Sequence, residues 1–452
     1  MEIQTGALII VLAYMVGMMI IGYVVGKINI KGSADYLVAG RRMGLFMVAF
    51  SLSANNIGGG STTGLAQKAF GAWGISAIWY VLAASLAMIP LAYFAPKIRK
   101  TMAVTIPEVV GRRFGKLSSN FTAVLSVLSL FCLTSSQIGA SGGMIADQVS
   151  DLIQFGIILV GLAIATPIVL KYAGGWQAIS AALPGEKLNM TQIGWASIIG
   201  YFFNYFCTFL CGPEMVSRFE TCKDEKTAVR ASFLCAILMA AMSIFPTLLG
   251  LAAFALKDQL PGLAENGSNA MMVVTGAYAP GVITGLISAA IICATMSSAD
   301  SNLLCMSTMI INDIYPGFGG KKKLEDKQVI FYTRLCNVIA ALIAMGISMF
   351  GVSLVAMNTF AFGIRCAGPF AAYGLGLAVP KATKNSGMIS IFTGTIAFVV
   401  WQLLSNGGTL WFMMPVVFGS LVSVITFYVV NLIEWKRGVP AAPSAYTVEE
   451  AK

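Results

Sequence analysis

Near the N-terminus an apolar stretch is interrupted by Ser51-Leu-Ser-Ala54-Asn55-Asn56-Ile57-Gly58-Gly59-Gly60-Ser61-Thr62-Thr63-Gly64. Consecutive glycines are poor helix formers, each costing up to about 1 kcal/mol relative to Ala. They predict a broken helix that frees the backbone carbonyls of Ala54 and Ile57. Irregular backbone at membrane depth is tolerated only where protein or a wet cavity surrounds it. Freed carbonyls and hydroxyls suit a hard cation such as sodium, an extension by charge density of the rule for calcium and magnesium. Close packing of helices through small residues is the competing reading.

A second stretch, Ala294-Thr295-Met296-Ser297-Ser298-Ala299-Asp300-Ser301, lies inside another long apolar run. Ala294, Ser297 and Ser298 stand at i, i+3 and i+4 and so share one helix face. Their carbonyl and hydroxyl oxygens would complete a cage with the broken helix. Serines at this depth also hydrogen-bond their own helix or a neighbour. Asp300 follows the pair, and Asp151 lies at or near the start of a further run. A carboxylate at the bilayer centre costs at least about 2.5–3.5 kcal/mol, so both are candidates for a second ion or proton site. Asp147 reads as a boundary residue in water. Arg365 is the exceptional basic residue inside a run; it would pair with a carboxylate, line the solute path or snorkel to an interface. Candidate solute contacts are Asn56, Gly58, Ser61 and Thr62 at the break, with Tyr80, Gln137, Asn204 and Thr208 in other runs. Each could equally be an interhelical hydrogen bond.

The elements that would carry these residues follow from composition. The chain has 452 residues, 57% hydrophobic and only 11% charged, where a soluble protein carries about 25% charged. So few charges cannot cover a water-facing surface, so the lipid bilayer is the expected surrounding. Runs near the length of a crossing, roughly 20 residues, number about twelve: 6–26, 44–70, 75–95, 118–144, 148–171, 192–213, 229–256, 279–312, 333–353, 355–379, 386–405 and 410–434. The net charge of +10 comes from short basic clusters between runs, the pattern that sets membrane orientation and not a face for nucleic acid. Those clusters place the N-terminus outside and the C-terminus in the cytoplasm. The first run is too long for a signal-peptide core and reads as a retained span. With no His and no metal-type Cys pairing among nine cysteines, zinc, haem and His-based catalysis lose their commonest ligand or base. No paired catalytic carboxylates and no obligate protein partner are evident, so an enzyme is not expected.

One interval breaks the charge pattern. The basic clusters at 97–116 and 218–230 are separated by three runs, an odd number, although both should be cytoplasmic. The join GASGGMIADQVSDLIQ leaves almost no room for a turn and another crossing. The expectation is one helix missing between about 117 and 190, with an interfacial or re-entrant segment as the alternative.

These stretches resemble the sodium:solute symporter family, which includes sodium-coupled sugar, sialic acid, proline and pantothenate carriers. SANNIGGGSTTG resembles its broken first core helix, TIPEVVGRRFG the loop before the third, VSDLIQ the start of the fifth, and MSSADSNLLCMSTMIINDIY the eighth; SRFETCKDEKTAVRA resembles the stretch after the sixth. The resemblance implies an all-α, LeuT-like bundle of two inverted five-helix repeats with ion and solute at the midplane. It would divide the chain into an extra helix at 6–26, a first repeat at 44–171 that is one helix short, a second repeat at 192–379 and peripheral helices at 386–434. It also implies a sodium site of the Ala54, Ile57 and Ala294 carbonyls with the Ser297 and Ser298 hydroxyls. Asp151 matches an acidic position used near a second sodium, and Asn56 a residue tied to ion or substrate sensing.

The departures are equally specific. The family's fourth core helix is absent, its trailing glycines surviving as Gly142-Gly143. No Arg occurs in 118–144, where sialic acid carriers hold the substrate carboxylate, and the pattern of the sugar carriers is not evident. The expected function is import of a small polar solute coupled to Na+ across the plasma membrane. A proton-coupled carrier of the same fold and a transport-incompetent sensor or remnant are the alternatives.

Overall fold

The computed structural model describes residues 5–135, 144–317, 324–348, 354–406, 409–411 and 413–446. The main helices are α1 (Thr5–Asn29), α2 (Leu45–Asn56), α3 (Thr63–Phe70), α4 (Trp79–Lys100), α5 (Ile106–Phe114), α6 (Lys116–Ser135), α7 (Met144–Tyr172) and α8 (Trp195–Leu210). They continue as α9 (Pro213–Glu220), α10 (Glu225–Ala255), α11 (Ala270–Tyr278), α12 (Gly281–Met309), α13 (Asp326–Ser348), α14 (Leu354–Cys366), α15 (Lys384–Leu404) and α16 (Pro415–Lys436).

Apolar side chains cover much of the outside: Ile237, Val160, Val338, Ile396 and Leu403 are all exposed. A surface of this kind is what lipid accepts and water does not. By length and apolarity alone, six helical stretches among the described residues can cross a bilayer: Gly74–Lys100, Lys116–Thr134, Met144–Tyr172, Glu225–Ala255, Lys384–Leu404 and Pro415–Lys436. The sequence expectation of about twelve crossings exceeds the six found among the described residues. One expected run, 44–70, is split into the shorter helices α2 and α3, and 192–213 holds only the short α8, with α9 beginning at its end. In α12 the apolar stretch Gly281–Ile292 is followed by a segment that carries Ser297, Ser298, Asp300, Ser301 and Asn302.

Two groups of helices form the core. The split helices pack with α4 and α10, while α6, α7, α12, α13 and α14 form a second group beside them. Close approach depends on glycine in places. A Cβ on Gly250 of α10 would lie 2.2 Å from the Ala66 carbonyl oxygen of α3. The TIPEVVGRRFG stretch acts as a clamp. Thr105 caps α5 by accepting from the Glu108 amide at 3.2 Å, and Glu108 accepts from the Val104 amide at 2.8 Å. Arg113 is buried and donates to the Val379 and Pro380 carbonyls. Gly115 ends the helix at φ +93°, a conformation that favours glycine.

The join singled out by charge parity has a distinctive placement. α7 runs antiparallel to α12: Ser301 contacts Asp147, Gly161 faces Ile287 and Tyr172 stacks on Tyr278 just before α12 begins. The last turns of α6, at Leu130 and Leu133, share a cluster with Leu303, Met306 and Met309 of α12. The end of α6 and the start of α7 therefore lie against the same half of α12. Residues 136–143, with Gln137, Gly142 and Gly143 among them, lie outside the described residues.

Candidate ion and solute site

The first break is built by its own hydroxyls. α2 stops at Asn56, and Ile57 has φ −104° and ψ 89°, outside the helical region. The Ile57 amide still donates to the Ser53 carbonyl at 3.0 Å and the Ala54 carbonyl at 3.1 Å. Ser61 donates to the Asn56 carbonyl at 2.8 Å and accepts from the Gly58 amide at 3.1 Å. Thr62 donates to the Gly58 carbonyl and Thr63 to the Gly59 carbonyl, each at 2.8 Å. The polar cluster expected to meet solute thus spends Ser61 and Thr62 on holding the break open. Asn56 donates to the Leu52 carbonyl at 2.8 Å and to the Met215 sulfur at 3.4 Å, which ties the first break to the second.

The second break, at Cys211-Gly212, separates α8 from α9. Proline at the start of α9 is tolerated because its missing N–H would be unpaired there. A side chain at Gly212 has no space: its Cβ would lie 2.9 Å from the Thr208 carbonyl and 3.3 Å from an Arg365 nitrogen. Below it Glu214 and Arg365 form a two-point ion pair, 2.6 Å on each arm, between α9 and α14. Both residues are buried. Of the three roles open to Arg365 in the sequence, pairing with a carboxylate is the one observed. Asn204, on α8, is half-buried, and Thr208 is buried one turn before the break.

Deeper in the bundle Arg218 joins four helices. Its Nε donates to the Ser51 hydroxyl at 2.7 Å. One terminal nitrogen donates to the Glu214 carbonyl at 2.7 Å. The other reaches Asp151 at 2.8 Å, Ser301 at 2.8 Å and Asp147 at 3.2 Å. Ser51 donates to Asp151 at 2.6 Å, and Ser301 donates to Asp147 at 2.8 Å. Asp147 is therefore not the water-facing boundary residue expected: it is 5% exposed, because Arg218 offers it a charged partner inside the protein. Arg113 and Arg218 belong to the basic clusters at 97–116 and 218–230, yet both are buried; Arg41 pairs with buried Glu220 at 2.8 Å. Asp300 is half-buried, near Asp147 and Asp151, with Oδ1 lacking a hydrogen-bond partner among the described residues. Three carboxylates, Asp147, Asp151 and Asp300, thus share one region with the single guanidinium of Arg218.

This cluster sets the depth of the expected sodium ligands. α2 and α12 run in opposite directions, and Arg218 pins them together at Ser51 and Ser301. Three residues, about 4.5 Å, lead in the same direction from Ser51 to Ala54 and from Ser301 to Ser298. Ala54 and Ser298 therefore share a level, with Ile57 one turn beyond. Ala294 and Ser297 belong to α12, but their side chains lie outside the described ones.

Beyond the break, Tyr80 packs against Tyr201 and Tyr205, with ring centroids 5.8 and 6.1 Å apart. The nearest atom to a Cβ built on Gly60 would be the Tyr80 hydroxyl, at 3.7 Å. A cavity of about 280 Å³ beside these rings is lined by Trp73, Gln192, Ser197 and Tyr201, among others.

A helical membrane protein with two broken helices, oxygen-rich segments at one depth and buried charges around them belongs to the broken-helix secondary transporters. Comparison with known proteins agrees. The Sodium:solute symporter family model matches residues 36–141 and 138–394. Sodium/proline symporters of Staphylococcus aureus strains bovine RF122 / ET3-1 and JH9 are each 24% identical over 484 residues, covering 95% of this chain and 93% of theirs. A Na+-coupled sialic acid symporter, solved in a substrate-bound outward-open state, matches with a TM-score of 0.80 at 22% identity, over 96% of this chain and 98% of its own. A nucleobase-cation-symport-1 family transporter matches at TM-score 0.55 and 14% identity, over 93% of this chain and 98% of its own. The chain belongs to the sodium:solute symporter family. It is a multi-pass membrane protein that couples movement of a solute to Na+.

Proposed function

We propose that this protein imports a small polar solute across the plasma membrane by alternating access. The ion is held by the carbonyls of Ala54, Ile57 and Ala294 and the hydroxyls of Ser297 and Ser298. The observation that carries this reading is the pinning of Ser51 and Ser301 by Arg218, which supports a common depth for Ala54 and Ser298. Sodium between α2 and α12 favours the outward-open arrangement, and its departure inward releases the two helices. Each sodium entering contributes about 2.3 kcal/mol per 100 mV of membrane potential. Asn56 and Tyr80 flank the solute path at the break, whereas Asp151 and Asp300 belong to a second site for an ion or proton.

The topology belongs to the same proposal: N-terminus outside, C-terminus cytoplasmic, first repeat 44–171 one helix short and second repeat 192–379. Three observations support the shortened repeat. Family similarity falls into two pieces that meet at 138–141. The alignment to the Staphylococcus aureus relative runs over 484 residues, longer than the 452 of this chain. Eight residues, 136–143, join α6 to α7, far short of the roughly 20 that a helical crossing needs. The same observations favour a second reading, a solute-binding remnant that does not transport.

Uptake by proteoliposomes across a panel of amino acids, organic acids and sugars separates these readings. Accumulation that requires an inward sodium gradient is expected. Accumulation driven by a pH gradient without sodium would identify a proton-coupled carrier. Sodium-stabilised solute binding without accumulation would identify the remnant.

A further inference from the structure

Three buried or half-buried arginines of the bundle meet carboxylates and a fourth, Arg113, meets carbonyls, whereas one half-buried lysine meets neither among the described residues. Arg41 meets Glu220, Arg218 meets Asp147 and Asp151, and Arg365 meets Glu214. The lysine is Lys68 of α3. Its ammonium lies 3.9 Å from the centroid of the Trp73 ring and 5.1 Å from that of Tyr80. Trp73 is in turn 5.9 Å from Tyr201, a wall of the cavity beside these rings. The carbonyl end of α3 does not neutralise Lys68 either, because Lys187 donates to both Phe70 and Gly71 there.

We infer that the solute path recognises a carboxylate attached to a compact apolar body, with Lys68 pairing the carboxylate and the Trp73, Tyr80 and Tyr201 rings covering the body. An ammonium drawn partly out of water onto aromatic faces gains from the rings, but it keeps its demand for an anion. A ligand carboxylate meets that demand and brings its own charge-assisted hydrogen bonds. A cationic solute would meet the Lys68 charge in the same space. The Tyr80 hydroxyl links this subsite to Gly60 of the break, so a solute seated here also touches the element that holds sodium. The inference rests on the symport reading and gives it a substrate class.

The test uses the purified full chain in sodium buffer, with melting temperature and tryptophan fluorescence as readouts. The probes are L-proline, nicotinate, benzoate and pantothenate; each acid is compared with its primary amide. At least one acid is expected to stabilise the wild-type protein where its amide does not. Lys68→Gln should weaken that acid by at least about tenfold, roughly 1.4 kcal/mol, and Lys68→Arg, which keeps the charge, should retain more of the response than Lys68→Gln. Sodium alone should stabilise Lys68→Gln as it does the wild type. Equal responses to acid and amide, an unchanged acid affinity in Lys68→Gln, or no response to any acid overturns the anion subsite. A wild-type protein that ignores sodium in the absence of solute overturns the symport reading instead.

Discussion

The guanidinium of Arg218 lies 2.8 Å from the carboxylate of Asp151, and neither residue has contact with solvent beyond 1% of its surface. The two stand on α9 and α7, elements far apart in sequence, and the same nitrogen also reaches Ser301 of α12. Desolvating such a pair offsets much of its attraction, so the pair adds little net stability, but removing one partner strands the other. Arg218→Ala should therefore lower stability by about 3–5 kcal/mol. Thermal unfolding in detergent measures this. Arg218→Ala combined with Asp147→Asn and Asp151→Asn should recover part of the loss; no recovery would show that packing, not stranded charge, accounts for it.

The pair between Glu214 and Arg365 makes a separate prediction. It fastens α9, below the second break, to α14. Glu214→Gln leaves Arg365 buried without its anion and should cost about 3–5 kcal/mol. Gly212→Ala acts on the same junction without removing a charge, since its methyl would crowd the Thr208 carbonyl, the Glu214 carboxylate and the Arg365 guanidinium. It should destabilise by about 1–3 kcal/mol and slow uptake. Wild-type stability and uptake in Gly212→Ala would mean that the break has more slack than its geometry indicates.

Gly250→Ala tests the approach of α10 to α3. A methyl there would sit 2.2 Å from the Ala66 carbonyl oxygen and 2.9 Å from the Ala69 side chain. The neighbouring atoms are backbone and a short side chain, so α3 itself must shift, at a cost of about 1–3 kcal/mol. Because α3 also carries Lys68 and follows the break, sodium activation of uptake should weaken in the same variant. Loss of stability with sodium activation intact would separate packing from the ion site.

Outside the membrane, Asp224 caps α10 by accepting from the Thr227 amide at 2.7 Å. That hydrogen bond holds its carboxyl below the usual carboxylate range. The sign follows: the cap contributes fully above the unfolded value near 4 and is lost as pH falls through the lowered folded value. Asp224→Ala should cost about 0.5–1 kcal/mol at neutral pH, and the difference from wild type should vanish in strong acid. Melting curves against pH would show it; a difference that grows with acidification would contradict the assignment.

Much of the architecture was legible because membranes enforce it. Apolar runs marked the helices, and Gly58-Gly59-Gly60 marked the first break, since glycine weakens a helix wherever it stands. The second break escaped notice because Gly212-Pro213 closes an apolar run and reads as its end. Paired charges were less legible for a different reason. Arg218 and Asp147 each look like residues at a water boundary, and only the meeting of α7 with α9 makes them internal. Arg365 announced that it needed a partner, but Glu214 lies 151 positions away and nothing local identifies it. Lys68 is not legible as a site residue because one lysine near a tryptophan carries no pattern until the fold brings the rings of Trp73 and Tyr80 over it.

The central claim is that oxygen atoms from the interrupted α2 and from α12 hold one monovalent cation. Equilibrium binding of radioactive 22Na+ to the purified protein, compared with Ser298→Ala, tests it most directly. The account predicts saturable binding by the wild-type chain and an affinity at least about tenfold lower in Ser298→Ala, roughly 1.4 kcal/mol, with the variant still folded. Identical sodium affinity in the two proteins would contradict it.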